Sequence, residues 1–462
     1  MGRHHHRPTA SRTARAADAG VDKHADTHAD PHGHSHLHGH SGPPDDRPLR
    51  ERLDPRTTAW TPSRVVLAIA LFLGAVATAV ALVVQWPTGG APRPAGDFSE
   101  ASPLGVETQE GTVAEGLIAA CTTQAVGSVL DVIPAGVDQV PAGQESCHLV
   151  AVDIHSGPDS GRRTLLTDAA ARGAEGAAHL ESGDEIRLAV HTGAEGTRTY
   201  GFQDFHRTGA FWFWLLLALA GIAVVGAWRG VRAVVGLAIT LGVIGVFLLP
   251  ALARGESPVP ATITACAAVL YLVLFLVHGA NWKTASALGG TLTAMLLGVG
   301  IAQAAIGTNR LRGLGDENNL QVLLYLPGIE ITGLLTAGFI LGTLGVLNDV
   351  TVAQSATIAE LRELDPAASR WNLFTRALRV GRDHLASTVY TLVLSYAGAA
   401  LPLLVLLGVS GRGLAEILTS DTMATEVMRS VTGSLALVAA VPLTTLIAAW
   451  TIGAPRSARA AR

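Results

Sequence analysis

Residues 344–361 read LGVLNDVTVAQSATIAEL, an apolar segment interrupted by amides, hydroxyls and carboxylates at helical spacing. Asn348, Thr351 and Ser355 recur at i, i+3 and i+7, so a helix puts them on one face. Asp349 and Glu360, eleven residues apart, share another face. Polar groups at membrane depth are costly and mark ion or proton paths. The segment therefore reads as an ion or proton site near one mouth of a helical bundle, or as a helix leaving the membrane for water. A second group follows at Arg382, Asp383 and His384, where Asp383, Ser387, Thr391 and Ser395 step by four into the next apolar run. Asp383 also suits a helix start, where a carboxylate meets free N–H groups and the positive end of the dipole. Glu426 and Arg429, with Ser430 beside them, are spaced i, i+3 and read either as a site or as an ordinary pair on a helix surface.

Two further sets have ligand chemistry. His32, His34, His36, His38 and His40 alternate with small residues, and neutral imidazole suits Zn, Cu or Ni. The tract is either a metal-handling tail or a passive low-complexity one. Cys121 and Cys147 fall in one segment and read as a disulfide or as two free thiols, while Cys266 lies within an apolar run. No CxxC pair, nucleophile elbow, phosphate-binding loop or HExxH occurs, so no enzyme is expected. A net charge of −4 gives no reason to expect a nucleic-acid partner.

The elements that must position these groups are membrane helices. Hydrophobic residues make up 49% of the 462 and charged residues only 15%, against roughly 25% charged in soluble domains. Apolar runs occupy 65–84, 211–228, 231–250, 259–278, 284–306, 331–351, 384–408 and 431–450, each near the roughly 20 residues a spanning helix needs. The expected fold is an α-helical polytopic membrane protein with about eight transmembrane helices. Residues 85–210 hold no such run. Their alternating segments, CHLVAVDIH at 147–155 and DEIRLAVHT at 184–192, predict half-buried strands in a small, mostly-β extracytoplasmic domain, an open barrel.

This divides the chain into a His-rich cytoplasmic tail without a packed fold (1–64), a signal-anchor helix (65–84), the β-rich domain (85–210), a seven-helix membrane domain (211–452) and a basic cytoplasmic tail (453–462). With the N-terminus inside, 21 of the 33 Lys and Arg fall on cytoplasmic segments, which predicts both termini in the cytoplasm of a plasma-membrane protein. The tryptophans fall at span ends, as an aromatic belt requires. Residues 366–383 read as an amphipathic helix, with Trp371, Phe374 and Leu378 on one side and Asn372, Arg376, Arg379 and Asp383 on the other. It lies either on the lipid surface or against neighbouring helix ends. Gly338 and Gly342 form a GxxxG pair, and Pro402 and Pro442 stand inside apolar runs.

The block from 331 to 445 resembles the YibE/F family of bacterial multi-pass membrane proteins. The resemblance rests on Asn348-Asp349-Val350, Ser355, Glu360-Leu361, Gly381-Arg382-Asp383, Ser387-Thr388, Thr391-Leu392, Glu426, Arg429-Ser430, Gly433-Ser434 and Pro442. Ser182–Arg187, Tyr200–Arg207 and Arg229-Gly230 extend it upstream, to a range of about 65–452. It implies an N-terminal anchor, an outside domain and a helical bundle, and it carries over no catalytic or ligand-binding residue. Polar groups on at least two helices favour a transporter or permease for a small solute or ion. The alternative is a non-transporting membrane component whose outside domain binds an envelope partner. The lipid bilayer is the one partner common to both.

Overall fold

The computed structural model describes residues 60–90, 94–95, 98, 102–121, 123–172, 175–193 and 196–452. The His-rich tract and the C-terminal basic tail lie outside the described residues.

Helix α1 (Pro62–Val84) begins at a proline, whose missing N–H costs nothing in a first turn. It leads to a five-stranded antiparallel sheet of β1 (Glu107–Ala120), β2 (Ser146–Ile154), β3 (Arg163–Thr167), β4 (Glu185–Thr192) and β5 (Arg198–Phe205). The spatial order is β3-β2-β1-β4-β5. The 14-residue β1 holds the sheet together: its first half pairs with β4 and its second with β2. A shift between Val113 and Glu115 bends it where the partners change. The two strands expected from alternation are present as β2 and β4. Strand β2 departs from the half-buried expectation, because both its faces are covered. Val150, Val152 and Ile154 join one cluster with Ile186, Leu188 and Tyr200. Cys147, Leu149 and Ala151 join a second, roofed by Val126, Leu130 and Ile133 of the β1–β2 connection.

The rest is helical: α2 (Thr208–Val243), α3 (Pro258–His278), α4 (Trp282–Asn309), α5 (Glu317–Tyr325), α6 (Ile331–Leu364), α7 (Arg370–Ala399), α8 (Leu401–Gly408), α9 (Leu414–Leu418) and α10 (Asp421–Thr451). α2 runs on through a π-turn at Ile244–Leu248 to Ala253. Among the described residues six helices are long and apolar enough to cross a membrane, or seven if the bent pair α7–α8 is one span. The run 384–408, expected as one helix, is broken: α7 and α8 meet at 66° with Pro402 just past the bend.

The 46-residue stretch from Thr208 to Ala253 is not straight either. Ala227 adopts φ 47° and ψ −136° inside α2. A Cβ on Gly230 would stand 2.1 Å from the carbonyl oxygen of Ile222, although eight residues of straight helix separate groups by about 12 Å. The chain therefore bends sharply at Ala227, and the glycine is what lets the backbones meet.

α3, α4, α6, α7 and α10 share the central core, around Leu288, Leu347, Val350, Leu392 and Leu437. At one end of the bundle, Trp60 meets Trp282 edge-on at 5.3 Å and Trp371 meets Trp450 at 6.1 Å. Ser63 and the Arg64 Nε donate to the carbonyls of Trp450 and Thr451 there. At the other end Trp86 lies 6.0 Å from Phe247, and Ser102 reaches Gln321 on α5. Trp60, Trp282, Trp371 and Trp450 thus mark one end and the sheet the other.

Candidate functional site

α6 positions most of the expected site residues. It has 34 residues, about 51 Å at 1.5 Å per residue, and extends well past the expected end near 351. Ile358 and Ala359 pack with Trp282, Leu373 and Ala448 at the tryptophan end. Asp349 therefore stands about 14 Å further along the bundle than Ile358, near the middle of α6. Of the expected residues on this helix, Glu360 lies at the tryptophan end, and it is exposed.

The buried face of α6 carries a line of polar groups: Thr336, Thr343, Thr351, Gln354 and Ser355. From Thr336 to Ser355 it runs about 28 Å. The Thr351 and Thr291 hydroxyls are 2.6 Å apart, and Thr291 reaches the Ala287 carbonyl at 2.8 Å. Gln354 Oε1 lies 2.9 Å from Thr445 Oγ1 on α10. The hydroxyls of Ser355 and Thr444 and the Asn348 Oδ1 are buried without a hydrogen-bond partner. Two glycines permit this convergence. A Cβ at Gly290 would stand 2.1 Å from Thr444 Oγ1, and one at Gly381 would stand 2.4 Å from Gln354 Nε2. Toward the sheet end, Thr343 and Thr432 line a void of about 10 Å³, at the lower limit for one water.

Asp349 turns away from this line. It is 72% exposed, and its Oδ2 lies 3.7 Å from Nε2 of His384 on α7. The expected ladder of Asp383, Ser387, Thr391 and Ser395 also faces outward, with Arg382. Its hydroxyls bond back to their own helix, Thr391 to the Ser387 carbonyl and Ser395 to that of Thr391. The structure thus brings Asp349 to His384, next in sequence to Asp383. Asp383 does not begin a helix, since α7 starts thirteen residues earlier, with the Ser369 side chain accepting from the Asn372 N–H. The amphipathic segment 366–383 largely becomes the first turns of α7. Leu373, Ala377 and Gly381 are its buried stripe, and Trp371 is exposed.

Glu426 and Arg429 form an ion pair of 3.3 Å near the sheet end. The guanidinium lies over both Phe339 and Tyr396, at 5.5 and 5.9 Å. The pair adjoins a cavity of about 400 Å³ beside the α7–α8 bend, where Glu426, Ser430, Ser434 and Tyr396 supply the polar atoms.

Cys121 and Cys147 are bonded, with Cα atoms 4.9 Å apart. By loop-closure entropy such a link stabilises the sheet by about 3.5 kcal/mol. The sheet's buried polar centre is Asp159, which receives Arg198 at 2.7 Å and the Tyr200 hydroxyl at 2.8 Å. Burial alone would raise the Asp159 carboxyl, but bonds from Tyr200, Arg198 and Arg162 outweigh it and hold the group below its usual value. Burial, and then the bond to Asp159, push Tyr200 up to about 12. Among the described residues no three His, Cys, Asp or Glu side chains are placed to hold a metal.

Sequence reasoning passed over Gln354, Thr291, Thr444 and Thr445. Gln354 was legible, as an amide one turn from Thr351 inside an apolar helix. Thr291 and Thr444 were not, because isolated threonines in spanning helices commonly bond only to their own backbone.

No curated protein matches this chain, and no solved structure does. A family profile described as YibE/F-like protein matches residues 214–454, just over half of the 462. The match takes in the helical bundle with Arg229-Gly230 and the whole polar line of α6. It leaves out α1 and the sheet, where the sequence resemblance had extended to Ser182–Arg187 and Tyr200–Arg207. The chain belongs to the YibE/F-like family.

Proposed function

We propose that this protein is a plasma-membrane permease for a small polar solute or ion, seen here with its path closed. One observation carries the reading: the polar line on the buried face of α6, about 28 Å long, with buried Ser355 and Thr444 hydroxyls that have no partner. A bundle whose only task was anchoring would gain nothing from unpaired hydroxyls in its core, since each costs about 1–3 kcal/mol. A solute replacing those missing bonds turns the cost into affinity. Gln354 and Thr445, with Thr291 and Thr351, would coordinate it. Glu426 and Arg429 would face it at the sheet end.

The reading includes eight spans with both termini in the cytoplasm and the sheet outside. The break at Ala227 supports the count, by dividing Thr208–Ala253 into two segments each long enough to cross. The distribution of Lys and Arg supports the orientation. A second reading, an anchored module that binds an envelope partner, draws on the exposed Ile118 and Val132 of the sheet domain.

The test is flux. Purified full-length protein in liposomes is assayed against a panel of inorganic cations, anions and small zwitterions. Transport of one class is expected, lost in Gln354→Leu and Thr351→Val while the thermal midpoint stays within a few degrees. No flux above protein-free vesicles for any class, or undiminished flux in both variants, overturns the proposal.

A further inference from the structure

The outer face of α6 and α7 is unlike the lipid-facing surface elsewhere in the chain. Where α1 and α2 are exposed they show Val, Leu, Phe and Trp. On α6 the exposed stripe is Gly338, Gly342, Gly345 and Asp349, spaced four, seven and eleven residues from the first. A Cβ at Gly338 or Gly345 would meet nothing within 4 Å. Beside it α7 exposes Asp383, Ser387, Thr391 and Ser395, with Tyr390 70% exposed.

The exposed Arg379 and Arg382 have side chains long enough to carry their charge back toward the helix N-terminus and the interface. Asp349 and His384 have no such reach. They stand near the middle of α6 and α7, and His384 Nε2 has the carboxylate at 3.7 Å but no hydrogen-bond partner. Lipid offers these groups no donor or acceptor, and ionisable residues in membranes face protein or water.

We propose that a second copy of this chain covers the face, α6–α7 against α6–α7 about a two-fold axis. Three features favour a copy over a different protein. Gly338 and Gly345, two turns apart and open on their outer side, let two helix backbones approach closely, while Gly342 between them packs on Tyr396 of its own chain. The α7 hydroxyls spend their protons on their own helix and keep lone pairs for a donor across the interface. The charges also balance on one face, Asp349 and Asp383 against the exposed Arg379 and Arg382, and an isologous contact requires that self-complementarity. The inference is independent of transport, since an anchor could dimerise equally well.

The experiment uses full-length protein with Cys266 replaced by alanine and the native disulfide kept. Gly338→Cys and Gly345→Cys are oxidised in native membranes, with Leu217→Cys on the apolar face of α2 as control. Copies per particle are counted by native mass spectrometry of the chain without added cysteines in nanodiscs. Expected are a reducible homodimer from at least one glycine position, at least tenfold above the control, and two copies per disc. One copy per disc, cross-links only to a protein of another mass, or a control that cross-links equally well overturns the proposal. Circular dichroism of each variant excludes misfolding as the reason for a missing cross-link.

Discussion

Asp349 on α6 and His384 on α7 face each other at 3.7 Å on the outside of the bundle, not within it. The pair ties two neighbouring helices near the middle of each. Removing one member should therefore cost more than removing both. His384→Leu leaves a carboxylate unpartnered and is expected to lower the thermal midpoint. Asp349→Leu with His384→Leu should recover most of the loss, with a coupling of roughly 1 kcal/mol. Thermal unfolding of the four-member cycle in one detergent measures it, and additive losses would mean the two groups do not interact.

The glycines that admit the polar line make a sharper prediction. A methyl at Gly381 would stand 2.4 Å from Gln354 Nε2 and 2.9 Å from Val441 Cγ1. Gly381→Ala should destabilise by roughly 1–3 kcal/mol through overpacking. Gly398→Ala, on the same helix with nothing within 4 Å, should be neutral or slightly stabilising. Equal midpoints for the two variants would show that α6, α7 and α10 are not held together at Gly381.

The contrast between these glycines shows what the sequence could disclose. Apolar runs are long-range signals, so the helices and the β-rich insertion were legible from hydropathy alone. Local alternation found β2 and β4 but missed β1, β3 and β5. It also read β2 as covered on one side, because the roof over its second face comes from a connection with no periodicity. On α6, helical spacing correctly grouped Thr351 with Ser355 but said nothing about which face meets another helix. That depends on Gly290 and Gly381, distant in sequence, whose lack of side chains opens the space. Asp349 was expected at a mouth because hydropathy ends the span where polar residues begin. Packing of Ile358 and Ala359 against Trp282 keeps α6 within the bundle for about two turns beyond that point.

The sheet domain should show stability losses at both pH extremes. Asp159 is held below its ordinary value in the fold, so its contribution is present above the unfolded value of about 3.9 and is lost as pH falls through the folded value. Tyr200, raised to about 12, contributes below its unfolded value of about 10, and loses that contribution as pH rises toward 12. Limited proteolysis in urea, following cleavage within residues 107–205 of the full chain, measures both limbs. Tyr200→Phe should lower the midpoint on the plateau, by about 1–3 kcal/mol for the lost bond, and should remove the Tyr200 contribution to the alkaline limb. An alkaline limb unchanged in Tyr200→Phe would assign it to another group.

The bend at Ala227 decides how many times the chain crosses. Trp86 beyond α1 lies 6.0 Å from Phe247, and a Cβ on Gly236 would lie 2.9 Å from Val273 Cγ1. Phe247 is thus at the sheet end, and Gly236 is beside α3 one to two turns before His278. Thr208 also follows directly from β5, whose Gln203 side chain reaches the Pro103 carbonyl. A chain that starts α2 beside the sheet and returns to the sheet end by Phe247 must turn between them, and Ala227 is where its helical angles fail. Arg229→Cys, in a background with Cys266 removed and the native disulfide intact, should then react with an impermeant maleimide only after the cytoplasmic face is opened. Ser160→Cys should react in intact cells, and Thr13→Cys and Ser457→Cys only in opened ones. If Thr208–Ala253 were a single crossing, residue 229 would sit near mid-membrane and label from neither side. Labelling of Arg229→Cys in intact cells would invert the orientation, and the pattern at Ser160 would have to invert with it.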